Sequence, residues 1–278
     1  MKIDSHQHFW KASRGDYHWM GPAVQVLCRD YLPPDLLPHL KKNKMDKTIL
    51  VQAAQTKAET DFLLDLAAQY DFIAGVIGWL DMDSPDFPKQ LDLYAKKPKF
   101  LGIRPMLQDL PDDDWILRPR VIQALKWVVD RDMPFEFLTY TRHLPHVLTV
   151  LETVPGLRAV VDHVSKPEIK NRKLDPWREL MARVAKHPSV YCKLSGMITE
   201  ADHKTWTPDD LRPYVEHVLD CFSVDRVMFG SDWPVCLLAG SYDQVTAALQ
   251  AVIKPRIDKR GEAAVFGENA ARFYKLVL

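Results

Sequence analysis

Short runs rich in β-branched and aromatic residues recur along the chain, and nearly every one precedes a segment with helical apolar spacing. Eight of them read as strands: KIDSHQHF from Lys2, KTILVQAA from Lys47, FIAGVIGWL from Phe72, FLGIRPM from Phe100, PFEFLTY from Pro134, LRAVVDHV from Leu157, SVYCKLSG from Ser189 and DRVMFGSDW from Asp225. Between them lie amphipathic helices. Phe62, Leu63, Leu66, Ala67 and Tyr70 form one apolar stripe behind Thr56 and Glu59, which have capping-box spacing. Leu211, Val215, Val218, Leu219 and Phe222 share a face behind Thr207 as N-cap and Pro208 at the first helical position. Similar stripes run through Val121, Ile122, Leu125, Val128 and Val129, and through Val245, Ala248, Leu249 and Val252.

Strict strand-then-helix alternation predicts parallel strands joined by right-handed crossovers, with both sheet faces covered. Two arrangements accommodate eight such units: a closed (β/α)8 TIM barrel or an open doubly wound sheet. An open dinucleotide-binding sheet would carry GxGxxG after its first strand, and the chain has none, so the barrel is favoured. With no Gly/Ser linker, low-complexity tract or short repeat, residues 1–278 read as a single domain. The longest irregular stretch, Trp10 to Pro34, follows the first strand. In a barrel it lies on the face that holds active sites, as a candidate lid.

Composition narrows the partners. The chain has 37 basic and 37 acidic residues and no formal net charge, which offers no electrostatic footprint for nucleic acid or an anionic membrane. No apolar stretch approaches the length that spans a bilayer. The opening MKIDSHQHFW lacks the pattern of a secretory leader, and Cys28, Cys192, Cys221 and Cys236 form no CxxC pair. Reduced, packing thiols and a cytoplasmic location are therefore expected. The oligomeric state, monomer or homo-oligomer, stays open.

Polar residues mark one end of the predicted strands. On a regular strand Asp4, His6 and His8 share a face, and burying them together requires a metal or a hydrogen-bond network. A solvent-facing edge strand is the other reading of that motif alone. Arg104, Asp162, His163, Lys193 and Asp232 then fall at the carboxyl ends of otherwise apolar strands, where barrels gather catalytic groups. Three histidines and an aspartate, His6, His8, His163 and Asp232, suit one divalent ion such as Zn2+ with an open position. Asp232 is the natural general base. The remaining histidines, apart from His18 in the candidate lid, sit in or beside helical segments and read as surface or packing residues.

These residues resemble the amidohydrolase superfamily, whose members are metal-dependent hydrolases on a distorted (β/α)8 barrel. FGENAARFYKL, from Phe266, is similar to the closing segment of its amidohydrolase-2 branch. IDSHQHFW, VQAAQTKAETDFLLDLA, GIRPMLQ, VVDHVSKP, VYCKLSG and FGSDWPV resemble the sugar-lactone hydrolases related to L-fuconolactonase and L-rhamnonolactonase. The resemblance implies hydrolysis of a small-molecule sugar lactone to the open aldonic acid, with His163 and Asp232 catalytic. Arg104 stands where binuclear members place a carboxylated lysine, and the fifth strand has no histidine. One metal, or none, is then implied; without an ion, His6, His8 and His163 would hydrogen-bond the carbonyl oxygen. Arg104 and Lys193 are candidates to hold the substrate, or else to pair internally with Glu136 or Asp162. Trp10, Trp79 and Trp233 are candidate sugar platforms, with a core role as the alternative for Trp79. The competing readings are a metal-dependent decarboxylase of the same branch and a non-catalytic sugar-acid binding protein.

Overall fold

The computed structural model describes residues 1–277. Its eight strands are β1 (Ile3–Gln7), β2 (Lys47–Val51), β3 (Ile73–Gly78), β4 (Phe100–Ile103), β5 (Phe135–Phe137), β6 (Ala159–Val161), β7 (Val190–Leu194) and β8 (Val227–Phe229). All neighbours pair parallel in sequence order. At the carboxyl end of β1 and past that of β8 a parallel bridge joins Gln7 to Trp233, with His8 N donating to Trp233 O at 2.7 Å and Asp232 N to His6 O at 2.8 Å. These bonds form the closing seam of a (β/α)8 barrel. The helices are α1 (Pro33–Asn43), α2 (Lys57–Gln69), α3 (Phe87–Tyr94), α4 (Pro119–Asp130), α5 (Leu144–Thr153), α6 (Trp177–Val184), α7 (Met197–Glu200), α8 (Pro208–Phe222), α9 (Tyr242–Ile253), α10 (Lys259–Ala263) and α11 (Asn269–Phe273).

Ile3, Ile49, Val51, Ile77, Val160 and Met228 form one buried apolar cluster together with Ala270, Phe273 and Tyr274 of the C-terminal segment. A second, larger cluster joins the strands to the helices. No helix among the described residues is long and apolar enough to cross a membrane.

Helix α8 starts as its sequence predicts, with Thr207 N donating to Asp210 Oδ2 at 2.9 Å. Helix α2 is capped differently from expectation. Thr56 Oγ1 accepts from Glu59 N at 3.0 Å, but the Glu59 carboxylate turns into the core and accepts from Ala53 N and Ala54 N at 2.8–3.1 Å. The sixth and eighth strands are shorter than predicted, because Asp162–Ser165 forms a tight turn and the chain leaves β8 at Phe229.

The Trp10–Pro34 stretch contains two short 3-10 segments, Ala12–Arg14 and Pro22–Leu27, and then enters α1. Trp10 and Tyr31 pair across its base, each N–H donating to the other's carbonyl at 3.0 Å. Trp19 Nε1 donates to Ala53 O at 2.8 Å, and Thr56 Oγ1 to Asp16 Oδ2 at 3.0 Å, so the stretch docks on the turn between β2 and α2.

Candidate active site

A cavity of about 210 Å³ opens at the carboxyl ends of the strands. Trp10, Trp19, Val24 and Leu27 of the Trp10–Pro34 stretch supply part of its apolar wall, with Met106, Leu138, Val235 and Leu238 from other loops. Its polar wall includes His8, Arg104, His163, Lys166 and Asp232. A larger cleft of about 710 Å³ borders α8, α10 and the C-terminal segment, but it is lined by arginines and carboxylates with no imidazole or thiol. The titratable chemistry converges in the smaller cavity.

His8 lies just past β1. Its Nδ1 donates to Val51 O at 2.8 Å, and its Nε2 faces inward, 3.3 Å from Asp232 Oδ1 and 3.2 Å from His6 Nε2. Asp232 is in a left-handed conformation, φ +54°, just after β8. Burial alone would raise its carboxyl, but His163, the His8 hydrogen bond and Lys166 outweigh that and hold it below the ordinary aspartate range. His163 contacts Ser195 Oγ through Nδ1 at 2.9 Å, while its Nε2 lies 3.8 Å from Asp232 Oδ1. Burial holds His6 and His163 well below the usual imidazole range, with Lys193 acting in the same direction on His6, so both are neutral at pH 7.

Three expectations change in the folded chain. Asp4 does not join His6 and His8, because the β1–β2 register shifts between Asp4 and Gln7. Its carboxylate accepts from Ser231 N at 2.9 Å and from Tyr242 Oη, on α9, at 3.0 Å, tying β1 to the segment after β8. Burial raises it to about 6.

Lys193 is fully buried and does not line the cavity. Its ammonium lies 2.6 Å from Glu136 Oε2, 3.1 Å from Asp162 Oδ1 and 3.1 Å from His6 Nδ1, and Tyr274 Oη donates to Glu136 as well. This is the internal ion pair rather than a substrate contact. Burying an ammonium without such partners would be prohibitive. Arg104 reaches the cavity wall, yet its Nη1 donates to Asp162 Oδ2 at 3.1 Å and its Nη2 to the Gln52 carbonyl.

Trp79 and Trp233 are not brought to the cavity wall either. Trp79 is anchored through its backbone N and O to Thr60 Oγ1, at 2.8 and 2.9 Å. Trp233 packs edge-on against Phe9 and Tyr31. The aromatic wall comes from Trp10 and Trp19 instead.

His6, His8 and Asp232 form one group of potential metal ligands, and His6, Asp162 and His163 form an overlapping one. In the first group the donors His6 Nε2, His8 Nε2 and Asp232 Oδ1 are separated by 3.2–3.8 Å. Tetrahedral zinc with bonds of about 2.0–2.2 Å needs donors about 3.4 Å apart, so the spacing of these two imidazoles and a carboxylate fits such an ion here. Beside the second group stand the Lys193 ammonium and Arg104 guanidinium, whose charge opposes a second cation.

Residues 3–276 match the amidohydrolase family model. The chain belongs to the amidohydrolase family. This amidohydrolase is 41% identical to an L-fucono-1,5-lactonase of Burkholderia ambifaria, over 99% of this chain and 96% of that protein. It is 36% identical to an L-fucono-1,5-lactonase of Burkholderia multivorans, again over 99% of this chain and 96% of that protein. A solved amidohydrolase from Burkholderia multivorans with bound zinc superposes with a TM-score of 0.95 and 36% identity, covering 99% of both chains. Of the residues that the sequence singles out, His8, His163 and Asp232 line this cavity and His6 lies beside them; Lys166, Trp19 and Leu27, which line it too, were not among the candidates.

Proposed function

We propose that this amidohydrolase hydrolyses a sugar-acid lactone, such as L-fucono- or L-rhamnono-lactone, to the open aldonic acid. The observation that carries the reading is the convergence of His8, His163 and Asp232 on one small cavity, in a chain similar over its whole length to L-fucono-1,5-lactonases. Those relatives favour lactone hydrolysis over decarboxylation. His6, His8 and Asp232 would hold one divalent ion, with zinc the expected identity, and such an ion supplies Lewis-acid polarisation and acidifies water.

The chain's own groups account for the rest. Asp232, held ionised, accepts the proton of the attacking water through the oxygen not turned toward His8. Neutral His163, oriented by Ser195, presents Nε2 toward the space beside Asp232, where an N–H there would offset charge growing on the carbonyl oxygen. The protonated Asp232 then returns its proton to the departing ring oxygen. The Trp10–Pro34 stretch supplies part of the apolar wall around that step.

Proton release from L-fucono-, L-rhamnono- and D-galactono-lactone, read with a pH indicator, tests the reading. Turnover above the spontaneous rate is expected for at least one, with Asp232→Asn lowering kcat by about 10²–10⁴-fold. No acceleration for any of the three would overturn it.

A further inference from the structure

Two cations reach the cavity wall, and their surroundings differ. Arg104 is nearly inaccessible and commits both terminal nitrogens to Asp162 and Gln52. Lys166 keeps 16% of its side chain accessible, and its nearest carboxylate oxygen, Glu200 Oε1, is 3.7 Å away. That distance is too long for a direct hydrogen bond, so the ammonium's donors are not committed there.

The backbone that presents Lys166 is unusual. His163, Val164, Ser165 and Lys166 all have left-handed φ values, +52°, +47°, +58° and +46°. Such a run costs about 1–2 kcal/mol per residue, and a β-branched Val164 within it is a genuine outlier. Strain of this kind persists only where the surroundings over-determine it. Here Trp177 Nε1 donates to Val164 O at 2.6 Å, Ser165 Oγ meets Thr139 Oγ1 at 2.9 Å, and Lys166 N donates to His163 O at 2.8 Å. An extended chain would carry Lys166 about 10 Å beyond His163. The turn instead places both side chains on one cavity.

Lactone hydrolysis creates charge in that cavity. Water oxygen bonds to the acyl carbon, the ring C–O bond breaks, the ring oxygen leaves as a hydroxyl, and one proton is released as the new acid ionises. A neutral substrate thereby becomes an anion beside the Asp232 carboxylate, which repels it. We propose that Lys166 is the anion-binding residue of this site, its ammonium holding the carboxylate of the opened product. The proposal rests on the lactonase reading above. Because the lactone itself is uncharged, Lys166 governs product affinity far more than substrate affinity.

The test compares the Ki of L-fuconate with the KM of L-fucono-lactone in the full-length wild type and in Lys166→Met and Lys166→Arg. Lys166→Met is expected to raise Ki at least 10-fold while KM moves less than 3-fold, and Lys166→Arg should restore Ki to within 3-fold. Glu200→Gln removes the ammonium's nearest opposing charge without touching the catalytic groups, so it should lower Ki at least 3-fold with KM unchanged; this arm serves should the methionine variant fail to fold. Ki and KM moving in parallel, a Ki unmoved in Lys166→Met, or in Glu200→Gln should that arm serve, or a loss that arginine does not restore would overturn the proposal. If the wild type opens no lactone, the lactonase reading fails on its own. Calorimetric binding of L-fuconate to wild type and Lys166→Met then still decides the role of the lysine, equal binding or none overturning it.

Discussion

At Glu59, capping and burial compete for one side chain. Its position three residues after Thr56 reads as the returning half of a capping box, yet the carboxylate is inaccessible and bonds the amides of Ala53 and Ala54. Those amides stiffen the turn on which Trp19 docks, so a core residue supports the cavity wall indirectly. Burial pushes Glu59 up from 4.5 to about 8, against the lowering effect of the two backbone amides. The folded chain therefore binds this proton more tightly than the unfolded chain. Between the unfolded value and about 8 the native state carries more protons here, so its contribution to stability falls as pH rises through that window. Glu59→Gln keeps the shape of the protonated carboxyl and cannot ionise. It should melt close to wild type at pH 5 and several degrees higher at pH 8.5, as followed by circular dichroism. A difference that does not change with pH would mean that Glu59 is not ionising within this range.

At the level of elements, the left-handed turn after β6 depends on a neighbour that gives it room. Gly196, in the turn between β7 and α7, has φ +60°, and a Cβ there would lie 2.5 Å from His163 Nδ1. Gly196→Ala is expected to destabilise the fold by about 1–3 kcal/mol and to lower kcat/KM at least 10-fold by displacing His163; urea melts and steady-state kinetics read the two effects separately. Unchanged kinetics with lowered stability would show that His163 tolerates the shift. Most of the elements were legible because apolar periodicity is a local signal: the Thr56 and Thr207 helices start where their caps sit, and the strands fall within the predicted runs. The candidate site residues His8, His163 and Asp232 lie just past the ends of β1, β6 and β8, close enough to the apolar runs to be singled out with them. Asp4 misled because a register shift breaks the alternation that the reading assumed. Lys166 was silent because nothing local asks Val164 or Ser165 for a left-handed backbone; Trp177, from α6, and Thr139, after β5, impose it. Lys193 carried two readings until its depth was known, since an ammonium on a strand reads alike whether it meets substrate or Glu136.

For the whole molecule, the barrel closes where the candidate metal ligands meet. His6 and His8 belong to β1 and the segment just after it, and Asp232 to the segment after β8, so the donor set draws on the two ends of the closing sheet. That seam rests on few backbone bonds, chiefly His8 N to Trp233 O and Asp232 N to His6 O, together with the Asp4 contact to Ser231 N. An ion bound across it would act as a cross-link between chain segments far apart in sequence. An ion that binds only the native state stabilises it by about 3–4 kcal/mol when present at 100–1,000 times its Kd. In a domain of this size that corresponds to roughly 5–15 °C in Tm. Metal analysis should find about one zinc per chain, as the donor set suggests. Stripping it with a chelator should lower Tm by that amount and abolish most activity, and stoichiometric zinc should restore both. The thermal readout reports binding of the ion to the native state and the kinetic readout its part in turnover, so the two effects are read separately. If the ion is removed and neither Tm nor turnover changes, the seam stands on its hydrogen bonds, and the carbonyl oxygen is polarised by His163 without an ion.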